Sequence, residues 1–365
     1  MNTSFTPARR NTRTVRIGSV PVGGGAPVAI QSMTNTRTAD VAATLAQIHA
    51  LEAAGCDIVR VAVPDMAAAQ AIRDIKAEMS IPLVADIHFD YRLAIAAMEN
   101  GVDKIRLNPG NIGGADRVKA VVDVARERGV PIRIGVNAGS LDKALLAKYG
   151  GVCPEALVES AMAHVGLLEA ENYREILISV KSSNVPLAMA THRLLSDRTD
   201  YPLHIGVTEA GTPYRGIIKS AAGIGALLLE GIGDTIRVSL TGDPVEEVRA
   251  AKEILRACGL YRKGIEFISC PTCGRTEINL IAIAEQVESA LGDIDVPLKV
   301  AVMGCAVNGP GEARDADIGI AGGRGEALLF RKGEIIRKMA EADIVPQLVA
   351  EVRRLADAYR EGTNG

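Results

Sequence analysis

Residues 104–137 read KIRLNPGNIGGADRVKAVVDVARERGVPIRIGVN, and this stretch contains the unit that decides the fold. The runs KIRLNPG (104–110) and PIRIGVN (131–137) are apolar and end in polar residues, as strands of a buried parallel sheet do. The stretch between them has helical character and ends at Gly129, a residue type that commonly stops a helix. A strand, a helix and a second strand in this order predict parallel pairing.

The same unit recurs along the first two-thirds of the chain. The eight strand-like runs are PVAIQSM (27–33), DIVRVAV (57–63), PLVADIHF (82–89), KIRLNPG (104–110), PIRIGVN (131–137), EILISVK (175–181), PLHIGVTEA (202–210) and TIRVSLTG (235–242). Helix candidates rich in Ala and Leu lie between them, for example DVAATLAQIHALEAAG (40–55). Eight such units predict a (β/α)8 TIM-type barrel, which typically takes ~250 residues, and a doubly wound open sheet is the alternative.

The pattern changes after about residue 243. The later elements are strand-like EFISC (266–270), helical TEINLIAIAEQVESALG (276–292), strand-like LKVAVMG (298–304), a Gly-rich turn region (305–326), strand-like ALLFRKG (327–333) and the amphipathic helix PQLVAEVRRLADAYR (346–360). We therefore predict a barrel over 1–243, a linking helix over 244–264 and a smaller α+β domain over 265–365. Before the first unit, VRIGSVPVGGGAPV (15–28) predicts a Gly-turned hairpin that plugs one end of the barrel.

Charge and composition exclude several classes of protein. The formal net charge of -3 argues against a nucleic-acid-binding surface, which would show as a basic excess. No run of 18 apolar residues is present, so we expect no membrane-spanning helix, and the N-terminus lacks the apolar core of a secretory signal. Six cysteines at irregular spacing do not resemble a secreted disulfide scaffold. These features predict a cytoplasmic protein.

Basic residues recur at matching places in the predicted strands. They are Arg60, Arg106, Arg133, Lys181 and Arg237. Any single one of them is explained well by a structural ion pair or a side chain that extends to solvent. Five of them would converge at the carboxyl end of the barrel, where barrel enzymes place their sites, and they would repel one another without a polyanion between them. Because arginine binds phosphate bidentately, we expect a substrate with two phosphates.

An acidic residue follows the seventh strand-like run. Glu209 in GVTEAG would lie among these cations. It either neutralises an arginine or donates and accepts protons during catalysis, and the second role requires placement against the substrate.

The motif Cys270-Pro-Thr-Cys273 indicates a metal site or a redox disulfide. Cys305 is the only later cysteine, and Glu312 lies in the same Gly-rich region. Cys56, Cys153 and Cys258 resemble buried structural cysteines, although Cys258 is close enough in sequence to be a fourth ligand.

Three kinds of site compete for this motif. A thioredoxin-like dithiol ranks lowest because a third thiol is available. Structural zinc remains open, but zinc sites usually show two clean ligand pairs. The spacing favours an iron–sulfur cluster, in which three cysteines leave one iron unlike the others. If Glu312 occupied that iron, its bond would be more replaceable than a thiolate bond, and the iron would be available to substrate.

Several stretches together resemble the bacterial 4-hydroxy-3-methylbut-2-enyl diphosphate synthase family, an iron–sulfur enzyme family of the methylerythritol phosphate route to isoprenoids. The matching stretches are QSMTNTRTAD (31–40), VRVAVP (59–64), ADIHFD (85–90), KIRLNPGNIG (104–113), IRIGVNAGSL (132–141), SVKSSN (179–184), LHIGVTEAG (203–211), FISCPTCGR (267–275) and VMGCAVNGPGEA (302–313). They extend in order over nearly the whole chain.

The resemblance implies a (β/α)8 barrel followed by an α+β domain with a [4Fe–4S] cluster held by Cys270, Cys273, Cys305 and Glu312. It implies reductive ring opening and dehydroxylation of 2-C-methyl-D-erythritol 2,4-cyclodiphosphate with two electrons from reduced flavodoxin or ferredoxin. It also implies a head-to-tail homodimer, in which the barrel of one chain meets the cluster domain of the other.

The residue pattern and the resemblance together predict one site. Its substrate-binding residues are Arg60, His88, Arg106, Asn108, Arg133, Asn137, Lys181, Arg237 and Ser239. Glu209 is the candidate that protonates the departing oxygen, and Glu312 leaves the iron when substrate binds. The alternatives are a barrel lyase or transferase that acts on a phosphorylated sugar above a structural zinc, and a non-catalytic electron carrier. The five cations argue against the carrier, which needs no anion pocket.

Overall fold

The computed structural model describes residues 7–305, 311 and 313–363. The chain divides into two compact units, and the division falls between Leu260 and Tyr261.

A short hairpin of β1 (Val15–Ile17) and β2 (Val20–Val22) precedes an eight-stranded sheet in the first unit. The sheet strands are β3 (Ala29–Met33), β4 (Ile58–Ala62), β5 (Leu83–Asp86), β6 (Lys104–Leu107), β7 (Ile132–Asn137), β8 (Ile176–Lys181), β9 (His204–Ile205) and β10 (Thr235–Ile236). All neighbouring strands are parallel, in the order β8-β7-β6-β5-β4-β3-β10-β9, and Ile178 bridges Leu203 to close the ring. The predicted barrel is therefore confirmed, and each strand lies inside one of the eight predicted runs.

Helices follow every barrel strand. They are α1 (Val41–Ala53), α2 (Met66–Glu78), α3 (Tyr91–Glu99), α4 (Ala115–Arg128), α5 (Lys143–Tyr149), α6 (Pro154–Ala170), α7 (Val185–Arg198), α8 (Pro213–Leu229) and α9 (Pro244–Ala257). Several begin at an Asp or Asn whose side chain accepts a backbone N–H of the first turn, as Asp65 and Asn184 do. Such caps fix the residue at which each helix starts.

The hairpin closes the amino-terminal end of the barrel, as predicted. Val15, Ile17 and Val22 are buried in one cluster with residues near the starts of barrel strands, including Ala29 and Ile58. Two three-residue strands bury little on their own, so the hairpin depends on this contact with the barrel.

Helix α9 belongs to the first unit. It packs against α8, α1 and β3. The stretch 244–264 was expected to be a link after a barrel over 1–243, whereas the first compact unit extends to Leu260 and includes this helix.

The second unit contains a five-stranded sheet in the order β11-β12-β13-β14-β15. Its elements are β11 (Ile265–Ser269), α10 (Leu280–Leu291), β12 (Leu298–Met303), β13 (Ile318–Gly323), β14 (Glu326–Arg331), β15 (Glu334–Ala340) and α11 (Ile344–Thr363). The first three strands are parallel, and β14 and β15 join antiparallel. Apolar side chains of α10 and α11, such as Val287 and Leu348, are buried with those of the sheet.

The expectation of a turn region through 305–326 was wrong for β13. This strand pairs with both β12 and β14. A Cβ at Gly319 would collide with Phe330 and Ala301, so glycine here permits close packing within the sheet. Within the described ranges, none of the helices combines the length and apolar character that crossing a bilayer requires.

Candidate active site

A pocket of about 180 Å³ opens at the carboxyl ends of the barrel strands. Its lining residues are Arg60, Asp86, His88, Arg106, Arg133, Gly135, Asn137, Ser179, Lys181, Thr208, Arg237 and Ser239. This end of a (β/α)8 barrel is where catalytic residues of barrel enzymes lie.

Most residues predicted for the substrate site line this pocket. Those that do so are Arg60, His88, Arg106, Arg133, Asn137, Lys181, Arg237 and Ser239. Asn108 is buried beside the pocket, where its Oδ1 accepts the N–H of Gly135 at 2.9 Å. Glu209 is exposed in the loop after β9, with a φ of 52°. Glu312 lies outside the described residues.

The strand register brings the basic side chains to one face. Arg106 of β6 lies opposite Asp86 of β5 and opposite Arg133 of β7. Gly135 leaves room for a long neighbour, because a Cβ there would collide with the Arg106 guanidinium. Instead, Arg106 Nη2 donates to the Gly135 carbonyl oxygen at 2.9 Å.

Asp86 is the central anion of the pocket. Its carboxylate lies 3.2 Å from Arg106 Nη1, 3.9 Å from Arg60 Nε and 3.7 Å from His88 Nε2. Burial alone would raise the pKa of Asp86, but the charges of Arg60 and Arg106 lower it to about 2. Asp86 is therefore ionised at neutral pH and compensates two of the arginines.

Arg60 is buried and has no close oxygen acceptor among the described residues. Burial lowers the pKa of Arg60 to about 10, against the attraction of Asp86. Its Nε and Nη2 both approach the Met33 sulfur, at 3.1 and 2.9 Å. Thioethers are weak acceptors, so this guanidinium retains capacity for a stronger one.

Arg133 and Lys181 form no salt bridge among the described residues, although Asp86 attracts Arg133 at longer range. Arg133 is 0% exposed, and none of its three guanidinium nitrogens has a hydrogen-bond partner among the described residues. Burial lowers the pKa of Arg133 and of Lys181 well below the ordinary values, and neighbouring arginines lower both further. A buried cation without a partner is costly, so the pocket is suited to an anionic ligand.

Several site residues were not assigned to the site from the sequence. Side chains two residues apart on a strand share a face, so Asp86 shares a face with His88 and Ser179 with Lys181. The sequence therefore contained a signal for Asp86 and Ser179. Gly135 and Thr208 had none. Glu247 of α9, which contacts Arg237 at 3.4 Å, had no signal either, because it lies outside the strands.

Two of the predicted cluster ligands, Cys270 and Cys305, lie just after the ends of two adjacent strands of the second unit. Cys270 directly follows β11, and Cys305 follows the parallel strand β12. The N–H of Gly304 donates to Cys270 Sγ at 3.1 Å. The backbone N–H and the side chain of Arg275 lower the pKa of the exposed Cys273 thiol.

These thiols fit an iron–sulfur cluster by their chemistry. Amide N–H donation and a lowered pKa both favour thiolates, which are the ligands of such clusters. Within the ranges that the structure describes, no three His, Cys, Asp or Glu side chains are grouped closely enough to hold a metal.

The other cysteines lie in the first unit. Cys56 and Cys258 are buried, and burial raises the pKa of Cys56 to about 12. Cys153 caps α6, where its Sγ accepts the Ala156 N–H at 3.4 Å. Burial disfavours the thiolate form of Cys56 and of Cys258.

Comparison with known proteins covers both units. Residues 12–252 match the GcpE TIM-barrel domain, and residues 266–354 match the GcpE protein C-terminal domain. The chain is 63% identical to 4-hydroxy-3-methylbut-2-en-1-yl diphosphate synthase (flavodoxin) of Geobacter sulfurreducens over 95% of this chain and 98% of the relative. It is 60% identical to the Ruminiclostridium cellulolyticum protein of the same name, with the same two coverages.

A solved structure shows the barrel fold alone. A truncated 3-deoxy-D-arabino-heptulosonate 7-phosphate synthase from Thermotoga maritima aligns with a TM-score of 0.50 at 12% identity. The alignment covers 69% of this chain and 95% of that one. Because both family models match and the curated relatives are similar over nearly their whole length, the chain belongs to the GcpE family, a family of oxidoreductases.

Proposed function

We propose that this chain converts 2-C-methyl-D-erythritol 2,4-cyclodiphosphate to 4-hydroxy-3-methylbut-2-enyl diphosphate by reductive ring opening and dehydroxylation. The conversion takes up two electrons and one proton and releases one water. The relatives' names supply the product. The observation that carries the proposal is the buried Arg133 guanidinium, which has no hydrogen-bond partner in the described part of the chain and lies in a pocket lined by four further cations.

The pocket residues divide the work of binding. Arg60, Arg106 and Arg237 bind oxygens of the diphosphate while Asp86 and Glu247 keep these arginines in place. Arg133 and Lys181 supply further positive charge, and no described residue accepts a hydrogen bond from the Arg133 guanidinium. His88, Asn137 and Ser239 contribute further hydrogen bonds, and Asn108 supports them through Gly135. Cations aligned on the diphosphate stabilise the charge that develops when its ring bond breaks.

Glu209 is proposed to protonate the departing oxygen. It follows Thr208, which lines the pocket, and its exposed side chain can exchange protons with solvent. Normal turnover by a Glu209→Gln variant would contradict the proposed role of Glu209 as proton donor.

We further propose that Cys270, Cys273, Cys305 and Glu312 hold a [4Fe–4S] cluster. When bound, the cluster supplies the two electrons one at a time through an iron whose carboxylate ligand is exchangeable. The chain's contribution is a set of thiolates stabilised by the Gly304 N–H and by Arg275.

The proposed partners follow from the relatives and the resemblance. Reduced flavodoxin, which the relatives' names include, is the electron donor, and ferredoxin is the alternative. The enzyme works in the cytoplasm as a head-to-tail homodimer, and light scattering after size-exclusion chromatography tests this state.

An anaerobic preparation tests the function directly. We expect a brown protein with about four irons per chain that forms the linear diphosphate from the cyclodiphosphate and reduced flavodoxin. A colourless protein with one zinc per chain would favour the barrel lyase or transferase instead. A protein that contains the iron but does not convert the cyclodiphosphate would support the proposed cluster and contradict the proposed reaction.

A further inference from the structure

Glu247 is a buried carboxylate that faces the barrel without lining the pocket. It lies in the first turns of α9, and 5% of its surface is exposed. Three groups from different parts of the first unit donate to it. Ser32 Oγ donates at 2.9 Å, the Leu240 N–H donates at 3.0 Å, and Arg237 donates from Nε at 3.4 Å and from Nη2 at 3.5 Å.

These contacts fix a short segment of the pocket wall. Arg237 and Ser239 both line the pocket, and Glu247 holds Arg237 by its side chain and Leu240 by its backbone. The carboxylate therefore anchors the segment on both sides of Ser239. Ser32 of β3 in turn fixes the carboxylate.

Arg237 needs such an anchor because its other neighbours do not provide one. Its positive charge disfavours the charged form of Arg60. Among the described residues, its other side-chain hydrogen-bond contact joins Nη1 to the Met33 sulfur at 3.6 Å. Without Glu247, repulsion from the other cations would favour rotation of Arg237 away from the pocket.

We propose that Glu247 is a positioning residue, which holds Arg237 at the angle that binds one phosphate of the ligand. The proposal rests on the proposed function, because it assigns Arg237 to the diphosphate. It adds a residue of α9 to a site otherwise built from strand ends and the loops after them.

The test must distinguish the effect of the negative charge of Glu247 from the effect of its contact with Arg237. Removing its charge would change the field in the pocket even if Arg237 stayed in place. Glu247→Asp keeps the charge and shortens the side chain by one methylene, so it loses reach alone. The probe is inorganic pyrophosphate, and the measurement is isothermal titration calorimetry on the full chain.

We expect Glu247→Asp to weaken pyrophosphate binding about tenfold, and Arg237→Met to weaken it at least as much. In the Arg237→Met background, the aspartate change should have less than about a twofold further effect, because residues that act through one another are not additive. The same weakening in both backgrounds, or no weakening by Glu247→Asp alone, would overturn the proposal.

Two further variants make the result interpretable. Glu246→Asp is the matched control, because Glu246 lies one residue earlier and pairs with Arg249 at the surface, and we expect no change in affinity. If Glu247→Asp does not fold, Ser32→Ala is used instead, because it removes a donor to the same carboxylate. We expect Ser32→Ala to weaken pyrophosphate binding about threefold in the wild-type background and to have no further effect in the Arg237→Met background. Equal effects of Ser32→Ala in both backgrounds would contradict the proposal. Wild-type protein that does not bind pyrophosphate would count against the proposed function itself.

Discussion

Two buried arginines on neighbouring strands should respond differently to the same replacement. Arg106 lies 3.2 Å from Asp86, whereas the Arg133 guanidinium has no hydrogen-bond partner among the described residues. Arg106→Met leaves Asp86 with only the longer contacts to His88 and Arg60 among the described residues, so we expect a loss of about 3 kcal/mol in the free energy of unfolding. Arg133→Met removes a buried charge that has no hydrogen-bond partner among the described residues, so we expect unchanged or higher stability.

Both variants should weaken pyrophosphate binding. Because the chain contains no Trp, unfolding in urea is best followed by far-ultraviolet circular dichroism. A loss of stability in Arg133→Met equal to that in Arg106→Met would show that Arg133 has an anionic partner in the free protein.

Lys181 should make ligand binding depend on pH. Burial and the charges of Arg60 and Arg237 lower its pKa well below the ordinary 10.5. The ammonium form that attracts phosphate exists below this lowered pKa and is lost as the pH rises through it. We therefore expect the ratio of wild-type to Lys181→Met affinity for pyrophosphate to fall with rising pH, well before pH 10.5 is reached. Calorimetric titrations of both proteins at each pH cancel the ligand's own ionisation, and a constant ratio would contradict the expectation.

The hairpin is an element whose stability comes from contact with the barrel. Ile17 is 0% exposed and packs in the cluster at the amino-terminal end, whereas Arg16 on the same strand is exposed. We expect Ile17→Ala to lower the free energy of unfolding by about 3 kcal/mol, and Arg16→Ala to change it little. Urea unfolding measures both.

Pyrophosphate affinity should remain unchanged in folded Ile17→Ala. The hairpin packs near the strand starts, and the pocket lies at the opposite ends of the strands. A weakened affinity would show that the two ends of the barrel are coupled.

At the scale of the whole molecule, cysteine replacements in the two units should affect the iron content differently. Replacing Cys270, Cys273 or Cys305 by Ser removes a proposed thiolate of the second unit, so we expect iron per chain to fall by at least half after anaerobic reconstitution. Cys258→Ser is the control in the first unit, where Cys258 is buried and its Sγ contacts the Gly225 carbonyl oxygen at 3.7 Å. Iron loss in Cys258→Ser would indicate that Cys258 is a ligand. Full iron content in all three other variants would contradict the proposed cluster site.

Pyrophosphate binding offers an independent readout of the first unit. Because the pocket is lined by residues of that unit alone, Cys270→Ser should bind pyrophosphate as the wild type does, even without iron.

The sequence by itself determined the barrel and most of its pocket. Eight strand-like runs alternating with helices predict the (β/α)8 fold, and cations at matching places in the runs, among them Arg106, Arg133 and Lys181, predict an anion pocket at the carboxyl end of the barrel. Both signals depend on neighbours a few residues apart, so they can be read without knowing the fold.

Tertiary structure decided which of these charges are compensated. Asp86 and Arg106 are 20 residues apart, and Ser32 and Glu247 are 215 residues apart. The structure also made a strand of 318–323, where glycines predicted turns, because β12 and β14 supply partners on both sides. Such contacts depend on closure of the ring and pairing of the sheet, and no local propensity encodes which distant side chains then meet.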